Sequence, residues 1–357
     1  MRGAHRMRSD QPSAKPAQPS AREALIEDAA HGGVTLVLGA GVSAACKVAT
    51  WRELAARLWS DAFGSELPQV ADDPRFYPFA FERIERAMPD RFADRLREML
   101  YSEHVLPSRA ELLGATDNTL AVVARVIADE ARRPRRHVVR VITLNVDDLL
   151  ERAIARLSER GTGGARVHPV VRATFHPTQT LGSTAMPIYH LHGFLRSDGQ
   201  PGDCEVESDD APDVLVFTDL QYWASAAMPS SHMNRTFSFA LHDSHCLFVG
   251  MSMTDLNVWR WLALRAFEIA ADCKSQSEVD ATASTAEQLY RRSLDRHYWI
   301  TAEEDNGDDG FLSECLALRG VRTVPIRSWT DSSFHELMRE CFPQALRAAA
   351  RPDRWSR

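Results

Sequence analysis

A short apolar run that leads into a glycine turn is the feature that most constrains this fold. Residues 34–38 have the composition of a buried strand, the turn Gly39-Ala40-Gly41-Val42-Ser43 follows directly, and an amphipathic stretch runs from Trp51 to Trp59. Strand, glycine turn and helix can hold a nucleotide pyrophosphate, because glycines let the backbone approach the phosphates and a helix N-terminus offers free N–H groups. A tight turn without a ligand fits the same pattern, so the turn alone leaves both interpretations open.

The rest of the chain alternates short apolar runs with helical spacing. The runs interpreted as strands are 34–38, 138–143, 187–191, 214–217, 246–249, 298–301 and 321–326. Helical patterns separate several of them, at 147–154, 218–227, 231–242, 255–271 and 309–318. This alternation predicts an α/β fold, with a Rossmann-like, doubly wound and mostly parallel sheet covered on both faces. We expect surface loops at 272–284 and 306–310.

The stretch between the first two strands has helical spacing and few strand signals. Its segments are 51–64, 77–101 with a break at Met88-Pro89, 108–113 and 117–132. We interpret 51–135 as an inserted helical lobe, within a domain formed by 21–50 and 136–345. The polar residues 1–20 are expected to be a disordered leader and 346–357 a tail.

Composition argues against several classes of protein. The 42 basic and 49 acidic residues give a net charge of −7, so we expect no direct nucleic-acid binding. No apolar run approaches the ~18–20 residues that span a bilayer, and no apolar core follows the early arginines, so neither a membrane segment nor a secretory signal is expected. The six cysteines form no C-x-x-C pair, which indicates a cytoplasmic location without a zinc site.

Polar residues follow the second strand, where Asn145 and Asp147 stand between Thr143 and a helical stretch. Open α/β sheets bind ligands outside the carboxyl ends of their strands, which favours a binding role for these two side chains. Capping of the helix by Asn145 or Asp147 explains the same residues without a ligand.

A third motif, His190-Leu191-His192-Gly193, follows another short strand. Strand alternation puts both histidines on one face unless the strand has already ended. Gly193 lets the chain turn and expose an imidazole, which is the group best suited to exchange a proton near neutral pH. A histidine satisfied within the interior is the competing interpretation.

The fourth motif is the stretch 248–255, in which an apolar strand runs into Gly250 and Ser252. Gly250 permits close approach of a ligand, and the Ser252 hydroxyl can donate to a phosphate or a ribose. An ordinary turn with Thr254 or Asp255 as helix cap is equally compatible.

Spacing argues against an ordinary dehydrogenase. Gly39, Gly41 and Ala44 fit G-x-G-x-x-[GA], but such a site also needs an acid ~20 residues on, at the end of the second strand. The nearest acid, Glu53, lies in a helical stretch, and the second strand arrives only near residue 138.

Taken in order, G-A-G-x-S, T-x-N-x-D, H-G and V-G-x-S resemble the sirtuin, or SIR2-like, family over roughly residues 30–330. The stretches 143–151, 217–223 and 248–255 resemble its bacterial branch. The resemblance implies that Asn145 and Asp147 face the nicotinamide and its ribose, and that His192 is the catalytic histidine. The residues it implies around the pyrophosphate and adenosine of NAD are Gly39, Ala40, Gly41, Ser43, Gly250 and Ser252.

The chain departs from the histone-deacylating sirtuins at their zinc module. Those enzymes carry two C-x-x-C pairs, whereas Cys204 is the only thiol between Gly193 and Phe217 here. Residues 46–51 also lack their G-I-P-D-F-R-S-like sequence. The resemblance therefore implies NAD as substrate and no zinc.

The resemblance implies hydrolysis of NAD to nicotinamide and ADP-ribose by an NAD-depleting effector of bacterial anti-phage defence. Two alternatives stay open: a regulatory module that binds NAD or ADP-ribose without turnover, and an NAD-dependent protein deacylase or ADP-ribosyltransferase. The partners it implies are a second copy in a homo-oligomer and a separately encoded activator, such as a HerA-type ATPase or an Argonaute-related protein.

Overall fold

The computed structural model of the chain describes residues 19–69, 76–158, 171–174, 185–197, 215–279, 290, 293–303 and 310–346. Most of the predicted leader, all of the tail beyond Leu346, and the turn residues 306–309 lie outside this range. At the leader's end, Ser20 caps the first helix by accepting a hydrogen bond from the Glu23 N–H.

A parallel sheet of seven strands organises the fold. The strands are β1 Val34–Leu38, β2 Val138–Thr143, β3 Val171–Thr174, β4 Met186–His190, β5 His245–Val249, β6 His297–Ala302 and β7 Val321–Ile326. They pair in the order β3-β4-β2-β1-β5-β6-β7, and every pairing among these described strands is parallel. Without the edge strand β3 the order is the Rossmann-like 3-2-1-4-5-6, so the predicted doubly wound α/β fold is confirmed.

Helices connect the strands of this sheet, and several more lie between β1 and β2. In chain order the described helices are α1 Ala21–His31, α2 Trp51–Phe63, α3 Tyr77–Ala87, α4 Phe92–Leu100, α5 Arg109–Gly114, α6 Thr119–Glu130, α7 Leu149–Ser158, α8 Asp219–Ala227, α9 His232–Asp243, α10 Leu256–Val279, α11 Gly310–Ala317, α12 Ser333–Cys341 and α13 Pro343–Leu346. None of the helices described is both long and apolar enough to cross a bilayer.

The helices between β1 and β2 fall into two groups. The helix α2 packs against α3 and α4, and their buried side chains include Leu54, Phe81 and Leu96. The helix α6 is buried along nearly all of its length and packs against α7 and α13. The boundaries predicted for the inserted lobe, 51–135, stay a prediction.

Two local expectations were wrong, and one short strand was not predicted. Residues 215–217 form no strand, because Val216 is joined to the chain after β4 by a single backbone hydrogen bond, to His192 (2.9 Å), and not by a ladder. Residues 272–279 continue α10 instead of forming a loop, since no Gly or Pro ends the helix there. The short strand β3 gives too little alternation to be found by pattern.

The carboxyl ends of four strands lie side by side at one edge of the sheet. Leu38, the last residue of β1, is in register with Thr143 of β2 and with Val249 of β5, and Thr143 is in register with His190 of β4. The four motifs that sequence analysis singled out follow these strand ends. The fold therefore brings their starting points to a single edge.

Two of these loops approach each other backbone to backbone. The Gly41 N–H donates to the Gly250 carbonyl oxygen at 2.9 Å, and Gly250 has a φ of +62°. A Cβ atom at Gly250 would lie 2.7 Å from the Val42 nitrogen and 2.9 Å from the Gly41 carbonyl carbon. Glycine is therefore required here by both conformation and space.

Replacing Gly250 by alanine is expected to lower the free energy of unfolding by about 2 kcal/mol or more, because the added Cβ meets backbone on the opposite loop. Gly114→Ala is the matched control, since a Cβ there meets nothing within 4 Å. Urea unfolding of both variants measures the difference. Equal midpoints for the two variants would contradict the close approach of the loops.

Candidate functional site

The first polar cluster joins the glycine turn to the loop after β2. The Ser43 hydroxyl donates to the Asp147 carboxylate, with Oγ 3.1 and 3.0 Å from its two oxygens. The Asn145 side-chain amide donates to the Gly39 carbonyl oxygen at 3.1 Å and to Ser43 Oγ at 3.3 Å. The structure thus brings together three of the predicted site residues, Ser43, Asn145 and Asp147.

Asp147 also caps a helix, as the alternative interpretation proposed. Its Oδ1 accepts a hydrogen bond from the Leu149 N–H at 3.2 Å, at the start of α7. Burial raises the pKa of Asp147 to about 6, and the neighbouring carboxylates of Glu151 and Asp148 add to the rise, whereas hydrogen bonds from Leu149 and Ser43 oppose it. Asp147 therefore both caps α7 and has a pKa close to neutral pH.

His190 is a satisfied interior histidine. Its Nδ1 donates to the Asn145 carbonyl oxygen at 3.0 Å, and its Nε2 lies 2.7 Å from Glu151 Oε1. Burial alone would lower the pKa of His190, but the Glu151 carboxylate and the Asn145 carbonyl raise it overall. The ring is thus paired with Glu151, and its hydrogen bond fixes the backbone at Asn145.

His192 is held differently, because β4 ends at His190. The residue is only 4% exposed, and neither ring nitrogen has a hydrogen-bond partner among the described residues. Ring centroids of Trp51 and Tyr222 lie 6.4 and 6.3 Å from the His192 ring centroid. Burial lowers the pKa of His192, with Asp255 and the Leu144 backbone acting in the opposite direction, so the imidazole is neutral at pH 7 and can accept a proton.

Sequence analysis missed the functional potential of Asp255 and Tyr222. Asp255 Oδ2 lies 3.8 Å from His192 Nε2, while its Oδ1 accepts a hydrogen bond from the Tyr222 hydroxyl at 2.8 Å. Asp255 was considered only as a helix cap, and it does accept from the Asn257 N–H (2.7 Å). Both residues belong to stretches that carry the family resemblance, which is the signal that could have found them.

The remaining predicted binding residues line the rim of the glycine turn and of the loop after β5. Ala40 and Gly41 are exposed, and Ser252 is exposed with its Oγ 2.8 Å from Thr254 Oγ1. No hydrogen bond between Ser252 and the Ser43 cluster is found in the described part of the chain. Two indole N–H groups, from Trp299 and Trp259, hold the loop around Ser252 by donating to its backbone carbonyls at 2.9 and 2.7 Å.

Within the ranges that the structure describes, no group of three or more His, Cys, Asp or Glu side chains is arranged to hold a metal ion. Cys204 lies outside these ranges, so the expected lack of zinc stays a prediction.

Replacing Glu151 by glutamine should destabilise the protein in a pH-dependent way. The raised pKa of His190 means that its ion pair contributes fully below the unfolded pKa of ~6.5 and is lost as pH rises through the folded pKa. We expect the variant to lose about 2 kcal/mol near pH 6, and less toward pH ~9, in urea unfolding.

The exposed His242–Glu268 pair supplies the control, and Glu268→Gln should cost no more than about 1 kcal/mol. A Glu151→Gln loss that does not depend on pH would contradict the ionic role of Glu151.

Comparison with protein families agrees with this geometry. A SIR2-like domain matches residues 139–324, just over half of the chain, from β2 to β7. No curated protein gives a significant match to this chain. The matched range contains Asn145, Asp147, His192 and Asp255, and the domain implies an NAD-related activity. On this match the chain belongs to the SIR2-like domain family.

Proposed function

We propose that this protein is an NAD+ glycohydrolase that cleaves the nicotinamide–ribose bond with water and releases nicotinamide and ADP-ribose. The observation that carries the proposal is the buried, neutral imidazole of His192, whose two ring nitrogens make no hydrogen bond of ordinary length and angle among the described residues. A buried polar group of this kind usually has a partner, so its lack here favours a ligand or a reacting molecule as that partner.

NAD would bind across the carboxyl edge of the sheet, at the junction of β1 and β5 where ligands of doubly wound folds bind. In this proposal the Gly39–Gly41 turn and Ser43 contact the pyrophosphate, and Gly250 and Ser252 contact the adenosine half. The exposure of Ala40, Gly41 and Ser252 supports such contacts.

The chemistry places positive charge on the ribose. The C1′–N bond breaks, its electron pair leaves with neutral nicotinamide, and the water oxygen bonds to C1′ while its proton passes to His192. With a pKa of about 6, Asp147 is mostly ionised above neutral pH and would stabilise the developing cation. Asn145, oriented by its bonds to Gly39 and Ser43, would position the nicotinamide amide or the water.

A neutral base favours turnover over binding without reaction. A module that only binds NAD needs no proton acceptor, whereas His192 has a pKa lowered below its usual value and stays unprotonated. ADP-ribosyl transfer shares the cleavage step and differs only in the acceptor.

The biological part of the proposal is an NAD-depleting effector of bacterial anti-phage defence. Unregulated hydrolysis would exhaust the cell's NAD, so activity must be gated by a homo-oligomer or by a separate activator such as a HerA-type ATPase or an Argonaute-related protein. A His192 residue that is 4% exposed is consistent with a resting state that opens on activation.

Substituting His192 or Asn145 by alanine is expected to lower nicotinamide release by about 100-fold or more, because proton transfer and orientation are both lost. His31→Ala changes an exposed histidine at the end of α1 and should leave the rate unchanged. The assay follows nicotinamide by chromatography, with and without the products of neighbouring genes. Full rates in both site variants, or NAD binding without any release by the activated wild type, would overturn the proposal.

A further inference from the structure

The carboxylate of Asp255 faces His192 with one oxygen and is anchored through the other. Oδ1 accepts hydrogen bonds from the Tyr222 hydroxyl (2.8 Å) and from the N–H groups of Asn257 (2.7 Å) and Val258 (3.1 Å). Oδ2 lies 3.8 Å from His192 Nε2. Helix capping uses Oδ1 alone, so it explains neither the direction of Oδ2 nor the Tyr222 hydrogen bond.

Resting on the proposed hydrolase function, we propose that Asp255 is a positioning residue that fixes the His192 ring and stabilises its protonated form during the reaction. A distance of 3.8 Å is too long for a hydrogen bond with the neutral ring. Once His192 has taken a proton, the charges of imidazolium and carboxylate attract strongly at this distance, because the site is buried. Asp255 thereby makes His192 a stronger base at the moment of proton transfer.

Tyr222 holds this carboxylate in place. Burial raises the pKa of Tyr222, and the Asp255 carboxylate raises it further. The hydroxyl therefore stays protonated and donates a hydrogen bond to Asp255. The Tyr222 oxygen also accepts from the Asn257 N–H at 3.0 Å, which ties α8 to the first turn of α10. Tyr222 therefore orients Asp255 as Asp255 orients His192.

Among the described residues, Asp255 is the charged group that faces His192. Trp51 faces the ring from α2 and is uncharged, and Tyr222 faces it from α8 as a neutral phenol. In the loop after β2, the Leu144 backbone contributes by raising the pKa of His192. Arg260, one turn along α10, acts on Asp255 and Tyr222 while its guanidinium donates to Asn234.

The test compares Asp255→Asn and Tyr222→Phe with wild type in the full-length chain. Asparagine caps helices about as well as aspartate, so Asp255→Asn removes the charge and keeps the cap. We expect kcat for NAD cleavage to fall about 10- to 100-fold with KM changed less than about threefold. Tyr222→Phe should lower kcat in the same way but less.

A second measurement does not need turnover. In protein labelled at histidine, NMR titration follows the His192 ring, assigned by its loss in His192→Gln, and Asp255→Asn should lower the pKa of His192 by about one unit. The control is Tyr298→Phe, which removes a similar hydroxyl–carboxylate bond, to Asp28, at the amino end of β6. It should change neither kcat nor the His192 titration.

The outcomes separate this inference from the proposed function. If the activated wild type releases no nicotinamide, the hydrolase function fails, and the NMR titration alone decides whether Asp255 acts on His192. An unchanged titration and kcat in Asp255→Asn would overturn the positioning role, as would a rise in KM alone, which indicates direct contact with NAD. Should Asp255→Asn fail to fold, an unchanged kcat and titration in Tyr222→Phe would overturn it.

Discussion

The close approach of the Gly41 and Gly250 backbones is the constraint on which the site depends. It brings the turn after β1 and the loop after β5 into direct contact, where side chains would otherwise separate them. The carbonyl of Gly39 in the same turn accepts the Asn145 amide, so the loop after β2 is fixed to the same backbone. Close packing of this kind holds polar groups in place without mobile side chains between them.

A group of buried carboxylates lies behind this contact, at the first turn of α7. The side chains of Asp147, Asp148 and Glu151 are each at least nine-tenths buried. Such charges are unfavourable in a buried environment unless each has partners, and here each has a different one. Asp147 is paired with Ser43, Asp148 accepts from the Ser197 N–H (2.9 Å) and hydroxyl, and Glu151 pairs with His190. The N-terminal end of a helix also favours negative charge.

This separation of partners gives neighbouring groups different protonation behaviour. Glu151 raises the pKa of His190, and its negative charge also helps to raise the pKa of Asp147. His192, two residues further on, makes no hydrogen bond to a carboxylate among the described residues, since Asp255 Oδ2 lies 3.8 Å from its Nε2, and burial lowers its pKa. Opposite shifts of two nearby histidines are typical of a site in which one histidine is structural and the other is free to react.

The sequence sufficed for six of the seven described strands and for the common edge of the motifs, because both follow from local patterns. A fully apolar run such as 34–38 predicts a central strand, and parallel strands place their carboxyl ends together. Strand alternation alone could not separate the roles of His190 and His192, since the difference depends on where β4 ends, and only the family resemblance singled out His192. The contact between Asp255 and His192 joins residues 63 positions apart, and no local pattern encodes it. Residues 215–217 were assigned as a strand because apolar composition does not show whether a pairing partner is available.

Access to His192 is limited by side chains of two helices, Trp51 of α2 and Tyr222 of α8, which face its ring. The His192 side chain is only 5% exposed, so a substrate can reach its ring only after a neighbouring side chain moves. Tyr222 is fixed by hydrogen bonds to Asp255 and Asn257, each contributing about 1 kcal/mol. Trp51 is held by ring contacts, stacked on Phe217 (4.7 Å between centroids) and edge-on to Phe81 (5.4 Å). Moving Tyr222 would break the hydrogen bond that holds Asp255, whereas moving Trp51 would leave the Tyr222–Asp255–His192 arrangement intact.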